Sequence, residues 1–348
     1  MSLFQSKKTI NLALQGGGSH GAFTWGVLDR LLEDDKRLKI EGLSGASAGA
    51  MNAAVLLQGY AKGGADGARR ALDQFWVRVS TLGREGMPPS PPIEQMLSSL
   101  NIDMPPMSDV FKVVQQMVSP YRVNPLNINP LRELLEEILD IKALRACTAI
   151  KLFVTATNVE TGRPRVFSRE EISIDALMAS ACLPFTYQAV EIDGVPYWDG
   201  GFTGNPSLFP LIEQGESSDL VVVRINPLRR PGTPEMAADI LSRMNEIGFS
   251  APLMNELRAL ALVQELFKDV SVKRNEKAAP FKNARMHMIA AEEEMRPLGA
   301  ASKTNADIDF LLRLKILGRK TADAWLARNW DAIGKRSSVD IREMYFGR

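Results

Sequence analysis

Two apolar runs, each followed by a glycine-framed turn and a helix-patterned stretch, constrain this chain more than any other feature. Thr9 to Gln15 places Ile10, Leu12 and Leu14 on one face of a short strand. It runs into Gly16-Gly17-Gly18-Ser19-His20-Gly21, after which a helix from about Ala22 to Glu33 carries Phe23, Val27, Leu28, Leu31 and Leu32 as its apolar stripe. Ile40 to Leu43 is a second strand. Gly45-Ala46-Ser47-Ala48-Gly49 makes its turn, and Ala50 to Gln58 makes a helix that Gly59 is placed to end. Strand–loop–helix followed by strand–turn–helix predicts parallel strands in an α/β sheet.

The rest of the chain continues that plan. Leu152 to Thr157 and Leu220 to Ile225 read as buried strands, the latter broken only by Arg224. Ile174 to Ala181 reads as a helix before Pro184, and Val190 to Trp198 as a hairpin turning at Asp193-Gly194. Nine of the 20 prolines lie between Met87 and Pro130, with Met87, Met96, Met104, Met107 and Met117. Such a stretch is an irregular excursion, until Asn129-Pro130 caps a helix over Leu131 to Leu139. Beyond Glu235 the pattern is helical over Glu235 to Ile247, Leu253 to Phe267 and Ile308 to Arg328, with one late strand at Arg285 to Ala290. The expected organisation is a catalytic domain over 8–230, with the excursion at 83–130, and a mainly helical region over 231–348 packed on the same domain.

Composition narrows the function. A net charge of +1 argues against a dedicated nucleic-acid binder. Cys147 and Cys182 are the only cysteines, which suits a reducing compartment and excludes a disulfide framework or a four-thiolate metal site. No apolar run approaches the roughly 20 residues needed to span a bilayer, so a cytoplasmic protein is expected, with peripheral membrane contact open to it.

Gly45-Ala46-Ser47-Ala48-Gly49 is a G-x-S-x-G sequence, which pushes a serine hydroxyl outward on a sharp strand-to-helix turn. Ala46, Ala48, Ala50, Ala53 and Ala54 keep the following helix thin. Alone the pentapeptide is a modest signal. Gly16-x-Gly18-x-x-Gly21 also fits a dinucleotide fingerprint, but the next strand leads into the serine turn instead of an acidic residue. Its amides can equally form an oxyanion hole, and a plain tight turn is the third reading. A Ser-His-Asp triad needs a histidine, and the chain has only His20 and His287, neither placed as a triad would place it. That scarcity points to a serine activated by a carboxylate alone. Asp199-Gly200-Gly201 offers one at the end of the hairpin, although Asp-Gly-Gly is also an ordinary turn.

Taken together, the glycine loop, the G-x-S-x-G turn and Asp199-Gly200-Gly201 resemble the patatin-like phospholipase family. The resemblance extends through Ala176 to Pro184 and Asn205-Pro206 and covers roughly residues 8 to 215. It implies a three-layer α/β/α fold with a central, mostly parallel sheet and a helical C-terminal extension. It further implies a Ser-Asp dyad lipid acyl hydrolase that acts on a phospholipid or another fatty-acyl ester. No metal or cofactor is expected, because no His/Cys/Asp cluster has ligand spacing. Carried over by position, Ser47 is the nucleophile, Asp199 the general base, and Gly16, Gly17 and Gly18 the oxyanion loop. Acyl transfer with the same dyad, or a low-activity lipid-binding or scaffold protein, are the alternatives.

One departure stands out. Many members of that family carry Arg or Lys where this chain has His20, and a histidine acts as a cation only when protonated. The expectation is a pH-sensitive contribution from His20, against the plainer reading that it packs at the helix start. His287 is expected to be structural, Cys182 buried and inert, Arg224 paired with a carboxylate, Glu292-Glu293-Glu294 solvated, and Asp193 a turn residue. Met104 and Met107 are expected on an apolar flap beside Ser47, against an ordinary packed loop.

Overall fold

The computed structural model describes residues 7–85, 119–271 and 277–346. Within them eight strands form one sheet: β1 (Lys8–Leu14), β2 (Leu38–Gly45), β3 (Lys151–Asn158), β4 (Pro164–Ser168), β5 (Val190–Ile192), β6 (Val195–Asp199), β7 (Asp219–Arg224) and β8 (Arg285–Ala290). The hydrogen-bonded path is β5-β6-β3-β2-β1-β7-β8, with β4 also pairing with β3. The pairs β1/β2, β1/β7, β2/β3 and β7/β8 are parallel, and the pairs made by β4, β5 and β6 are antiparallel. The sheet is therefore mostly parallel and lies between helices, as the three-layer expectation requires.

The two-residue period of the strands divides the core. Ile10, Leu12 and Leu14 of β1, Leu152, Val154 and Ala156 of β3, and Val221 and Val223 of β7 face α1 (Gly21–Leu32), α2 (Ala48–Glu85) and the long C-terminal helix Ile308–Asn329. Their neighbours Ala13, Phe153, Leu220 and Val222 face the opposite layer, built on Phe209–Gln214, Ala237–Leu266 and Ile341–Phe346. Both faces are covered, which is why these strands read as nearly continuous apolar runs.

The structure corrects two readings of the helices and one of an acidic run. Gly59 does not end a helix. α2 continues to Gly63–Gly64, where the backbone leaves helical geometry, and its second half folds back. A Cβ on Gly59 would lie 2.5 Å from the Gly67 carbonyl oxygen, so this glycine permits the close approach of the two halves. Beyond α3 (Ile174–Ser180) and α4 (Phe209–Gln214), the stretches Glu235 to Ile247 and Leu253 to Phe267 are not separate but form one helix, α5 (Ala237–Leu266), with Pro252 inside it. Leu253, Leu257 and Leu260 pack on the sheet, and that burial holds the helix together across the proline. Glu292 is not simply solvated: it pairs with Arg224 at 2.7 Å and accepts from the Leu228 and Arg229 amides. Met104 and Met107 lie outside the described residues.

Residues beyond 230 are built into the same sheet and layers. β8 extends the sheet beside β7, and α6 (Ile308–Asn329) crosses α1 at two glycines. A Cβ on Gly26 would lie 1.9 Å from the Lys315 carbonyl oxygen, and one on Gly318 would lie 2.0 Å from that of Phe23. Gly318→Val is expected to cost about 3 kcal/mol or more, because the two helices must part. Chemical denaturation would measure it; valine is the better helix former of the two, so a loss reports the clash and not helix propensity.

Candidate active site

The strand registers bring Ser47 and Asp199 together. β2 pairs with β3 from Gly42↔Lys151 to Gly45↔Val154, and β6 pairs with β3 from Asp199↔Ala156 to Tyr197↔Asn158. β4 runs along the other edge of β3 across Phe153 to Thr157, so β2 and β6 share one edge. Their C-terminal ends meet there, separated by the single β3 residue Thr155. Ser47 follows the end of β2 by two residues and Asp199 is the last residue of β6.

The junction is packed backbone against backbone. A Cβ on Gly200 would lie 1.9 Å from the Thr155 carbonyl oxygen, one on Gly49 would lie 2.1 Å from that of Leu14, and one on Gly16 would lie 2.5 Å from that of Ala46. Ser47 sits at φ 54°, in the left-handed region that a side chain disfavours. Its amide is held by Ser180, donating to that residue's carbonyl and hydroxyl oxygens, both at 3.0 Å. Ser180 in turn donates its hydroxyl to the Thr155 carbonyl at 2.6 Å. The turn therefore holds its strain through a buried hydrogen-bond chain and leaves the Ser47 side chain half-buried at the surface end of the sheet.

The glycine loop is fixed from two sides. Gln15 accepts the Ile225 and Asn226 amides at 2.9 Å each, which ties the loop to the end of β7. The Gly16 amide donates to Asn205 Oδ1 at 2.6 Å. The Gly17 and Gly18 amides make no hydrogen bond with the described residues, and Gly18 is exposed. Gly16 thus differs from its expected part in the oxyanion loop, since its own N–H is committed to Asn205. The open donors are those of Gly17 and Gly18.

Asp199 is completely buried. Burial pushes its carboxyl up to about 7, against the pull of the Gly201 amide, the Ser47 side chain and the Lys303 charge. Oδ1 accepts from the Gly201 N–H at 2.7 Å, while Oδ2 has no hydrogen-bond partner. A buried carboxylate with one oxygen fixed and the other unsatisfied, beside a hydroxyl, is equipped to accept a proton near neutral pH. Among the described residues no group of His, Cys, Asp or Glu is arranged to hold a metal ion.

A family model for patatin-like phospholipase matches residues 12–212, more than half of the chain. The chain belongs to the patatin-like phospholipase family. Membership supports lipid acyl hydrolysis as its general activity. Among solved structures it is similar to VipD from Legionella pneumophila, with 16% identity, a TM-score of 0.36, and coverage of 89% of this chain and 67% of that one. No curated protein matches it.

Against the patatin-like pattern, the residue at position 20 behaves differently from the expectation. His20 is buried, with Nε2 2.7 Å from Ser302 Oγ. Burial, then the charges of Lys303 and Arg230, push its pKa down to about 3. The imidazole is therefore neutral across the physiological range and supplies no cation, which removes the expected pH-sensitive role. His287 lies in the core, 2.9 Å from Asp219 Oδ1 and 2.9 Å from Ser338 Oγ. That Ser-His-Asp chain is enclosed and ties β7, β8 and the C-terminal segment together. Asp193, at φ 52°, occupies the hairpin turn.

Cys182 is buried and donates to the Gln188 carbonyl at 3.1 Å, and burial pushes its thiol up to about 12. At pH 8 iodoacetamide is expected to modify the half-buried Cys147 in the native protein and to leave Cys182 unmodified until the chain is unfolded. Peptide mass spectrometry reads both sites.

Sequence reasoning passed over Ser180 and Asn205 as working parts of this patatin-like site. Both lie within stretches that carry the resemblance, but their roles depend on partners far away in the chain. It missed Asn52 altogether. Asn52 donates to the Gly21 and Ala48 carbonyls and accepts from Trp76, joining the helices that follow the two glycine turns.

Proposed function

We propose that this protein is a serine-dependent lipid acyl hydrolase that works through an acyl-enzyme. The observation that carries the reading is the meeting of the β2 and β6 ends on one edge of β3, with the strained Ser47 turn beside the unsatisfied Asp199 Oδ2. Ser47 Oγ attacks the ester carbonyl carbon and its proton passes to Asp199. The Gly17 and Gly18 amides hold the oxyanion, with Gly16 anchored on Asn205 to aim them. Collapse of the tetrahedral intermediate breaks the ester C–O bond, and Asp199 returns the proton to the departing alcohol. Water then attacks the acyl-Ser47 carbonyl, gives its proton to Asp199, and the fatty acid leaves as Ser47 recovers a proton.

The substrate is a phospholipid or another fatty-acyl ester. Leu183 and Phe185, exposed on the loop after Cys182, and Phe202, just after Asp199-Gly200-Gly201, give this end of the sheet an apolar border suited to acyl chains and to peripheral contact with lipid. Among the described residues no helix is long and apolar enough to cross a membrane.

A fluorophosphonate probe tests the reading. Covalent labelling that maps to Ser47, together with release of fatty acid from an ester substrate, is the expected result. Labelling elsewhere, or none with no turnover, overturns it.

A further inference from the structure

We propose that Lys303, outside the region matched by the family model, is the substrate-binding cation of this site and holds the phosphate of a glycerophospholipid whose acyl ester faces Ser47. The proposal rests on the hydrolase reading and adds to it the residue that selects the substrate class.

Lys303 belongs to a short 3-10 turn, Ala300–Thr304, that is seated on the glycine loop. Its carbonyl oxygen would lie 2.3 Å from a Cβ built on Gly18, and Gly18 is at φ 59°, so only glycine accommodates the contact. Next to it Ser302 holds His20. The turn therefore borders the same loop whose Gly17 and Gly18 amides are open.

The charges around Lys303 leave a cation to spare. Arg230 pairs with Glu246 at 2.7 Å and donates to the Leu298 and Arg296 carbonyls, while Arg243 reaches the same glutamate at 3.2 Å. Glu246 is thus shared by two arginines. Lys303 is half-buried, and its ammonium has no hydrogen bond and no carboxylate within 4 Å among the described residues. Its field nevertheless reaches Asp199, Glu246 and His20. Neutral His20 adds nothing to the positive side. The carboxylates that act on Lys303 are Glu246, already shared by Arg230 and Arg243, and Asp199, and burial holds the Lys303 ammonium below the usual lysine value. A cation in that position gains from an incoming anion. In a glycerophospholipid the phosphodiester is a few bonds from the scissile ester, whereas a diacylglycerol offers the same esters without charge.

The test compares dioleoylglycerol with dioleoylphosphatidylcholine and dioleoylphosphatidylglycerol in neutral mixed micelles, using the wild type, Lys303→Met and Lys303→Arg. The ratio of kcat/KM for phospholipid over diacylglycerol at one pH cancels any effect of the lost charge on Asp199. Lys303→Met is expected to lower that ratio tenfold or more, and Lys303→Arg to restore most of it. Diacylglycerol turnover reports that the variant is folded, and Lys303→Gln replaces the Met variant should that one not fold. An unchanged ratio in Lys303→Met, with diacylglycerol still hydrolysed, overturns the proposal and leaves the hydrolase reading standing. Failure of the wild type to hydrolyse either lipid, with no fluorophosphonate label on Ser47, overturns both.

Discussion

Ser47→Ala is expected to lower ester hydrolysis by roughly 10⁴-fold or more and to abolish fluorophosphonate labelling, with the fold retained. No other hydroxyl in the described site stands beside Asp199 on the strained turn. Backbone strain makes the test sharper. Position 47 sits at φ 54°, which costs any L-residue about 1–2 kcal/mol and glycine almost nothing. Ser47→Gly is therefore expected to be as inactive as Ser47→Ala yet more stable than it by about 1 kcal/mol, measured by urea unfolding. Equal stability of the two variants would mean that the turn relaxes in solution and that no strain is held there.

Asp199→Asn is expected to lower kcat by about 10³-fold or more, because an amide keeps the hydrogen bond from Gly201 but cannot take a proton. The sign of the pH dependence follows from its environment. Burial raises the folded-state pKa from the usual carboxyl value to about 7, so the working anion forms as pH rises through 7. Wild-type kcat/KM should climb through that range to a plateau, and the residual activity of Asp199→Asn should lack this step. Stability runs the other way. Below about pH 4 the carboxyl is protonated in both folded and unfolded chains and makes no difference. Between about pH 4 and 7 the unfolded chain ionises first, so the folded state loses ground, by up to about 4 kcal/mol once pH exceeds 7. Asp199→Asn should then be more stable than wild type at pH 8 and close to it at pH 4. A variant destabilised at both pH values would show that the carboxylate is a structural strut.

The features legible in the sequence are those set by near neighbours. Ile10, Leu12 and Leu14 announce β1 through a two-residue alternation, Asp193-Gly194 announces a hairpin through its positive φ angles, and Asn129 announces a helix start through its own side chain. Ser47 and Asp199 were legible as motifs, but not the reason they meet, which is that β2 stops at Val154 and β6 resumes at Ala156 on the same edge of β3. Asn205 and Ser180 escaped for the same reason: the first acts on Gly16 and the second on Ser47, both more than 130 residues away. Pro252 misled because local propensity argued for a break that the burial of Leu253 and Leu257 overrides. His20 misled because its charge state is decided by burial and by Lys303, both invisible until the chain is folded.

The backbone-on-backbone contacts of Gly16, Gly49 and Gly200 have a consequence for how such a protein diversifies. Where carbonyl oxygens already occupy the space of a missing Cβ, no side chain of any kind can be introduced. The reacting centre is thereby closed to gradual modification: each substitution there is a loss of the whole junction. Variation that leaves the chemistry intact is confined to positions that only border it, such as Leu183, Phe185, Phe202 and Lys303. Under the proposed hydrolase reading, descendants of this chain exchange one lipid for another by altering that border, while Ser47 and Asp199 stay as they are.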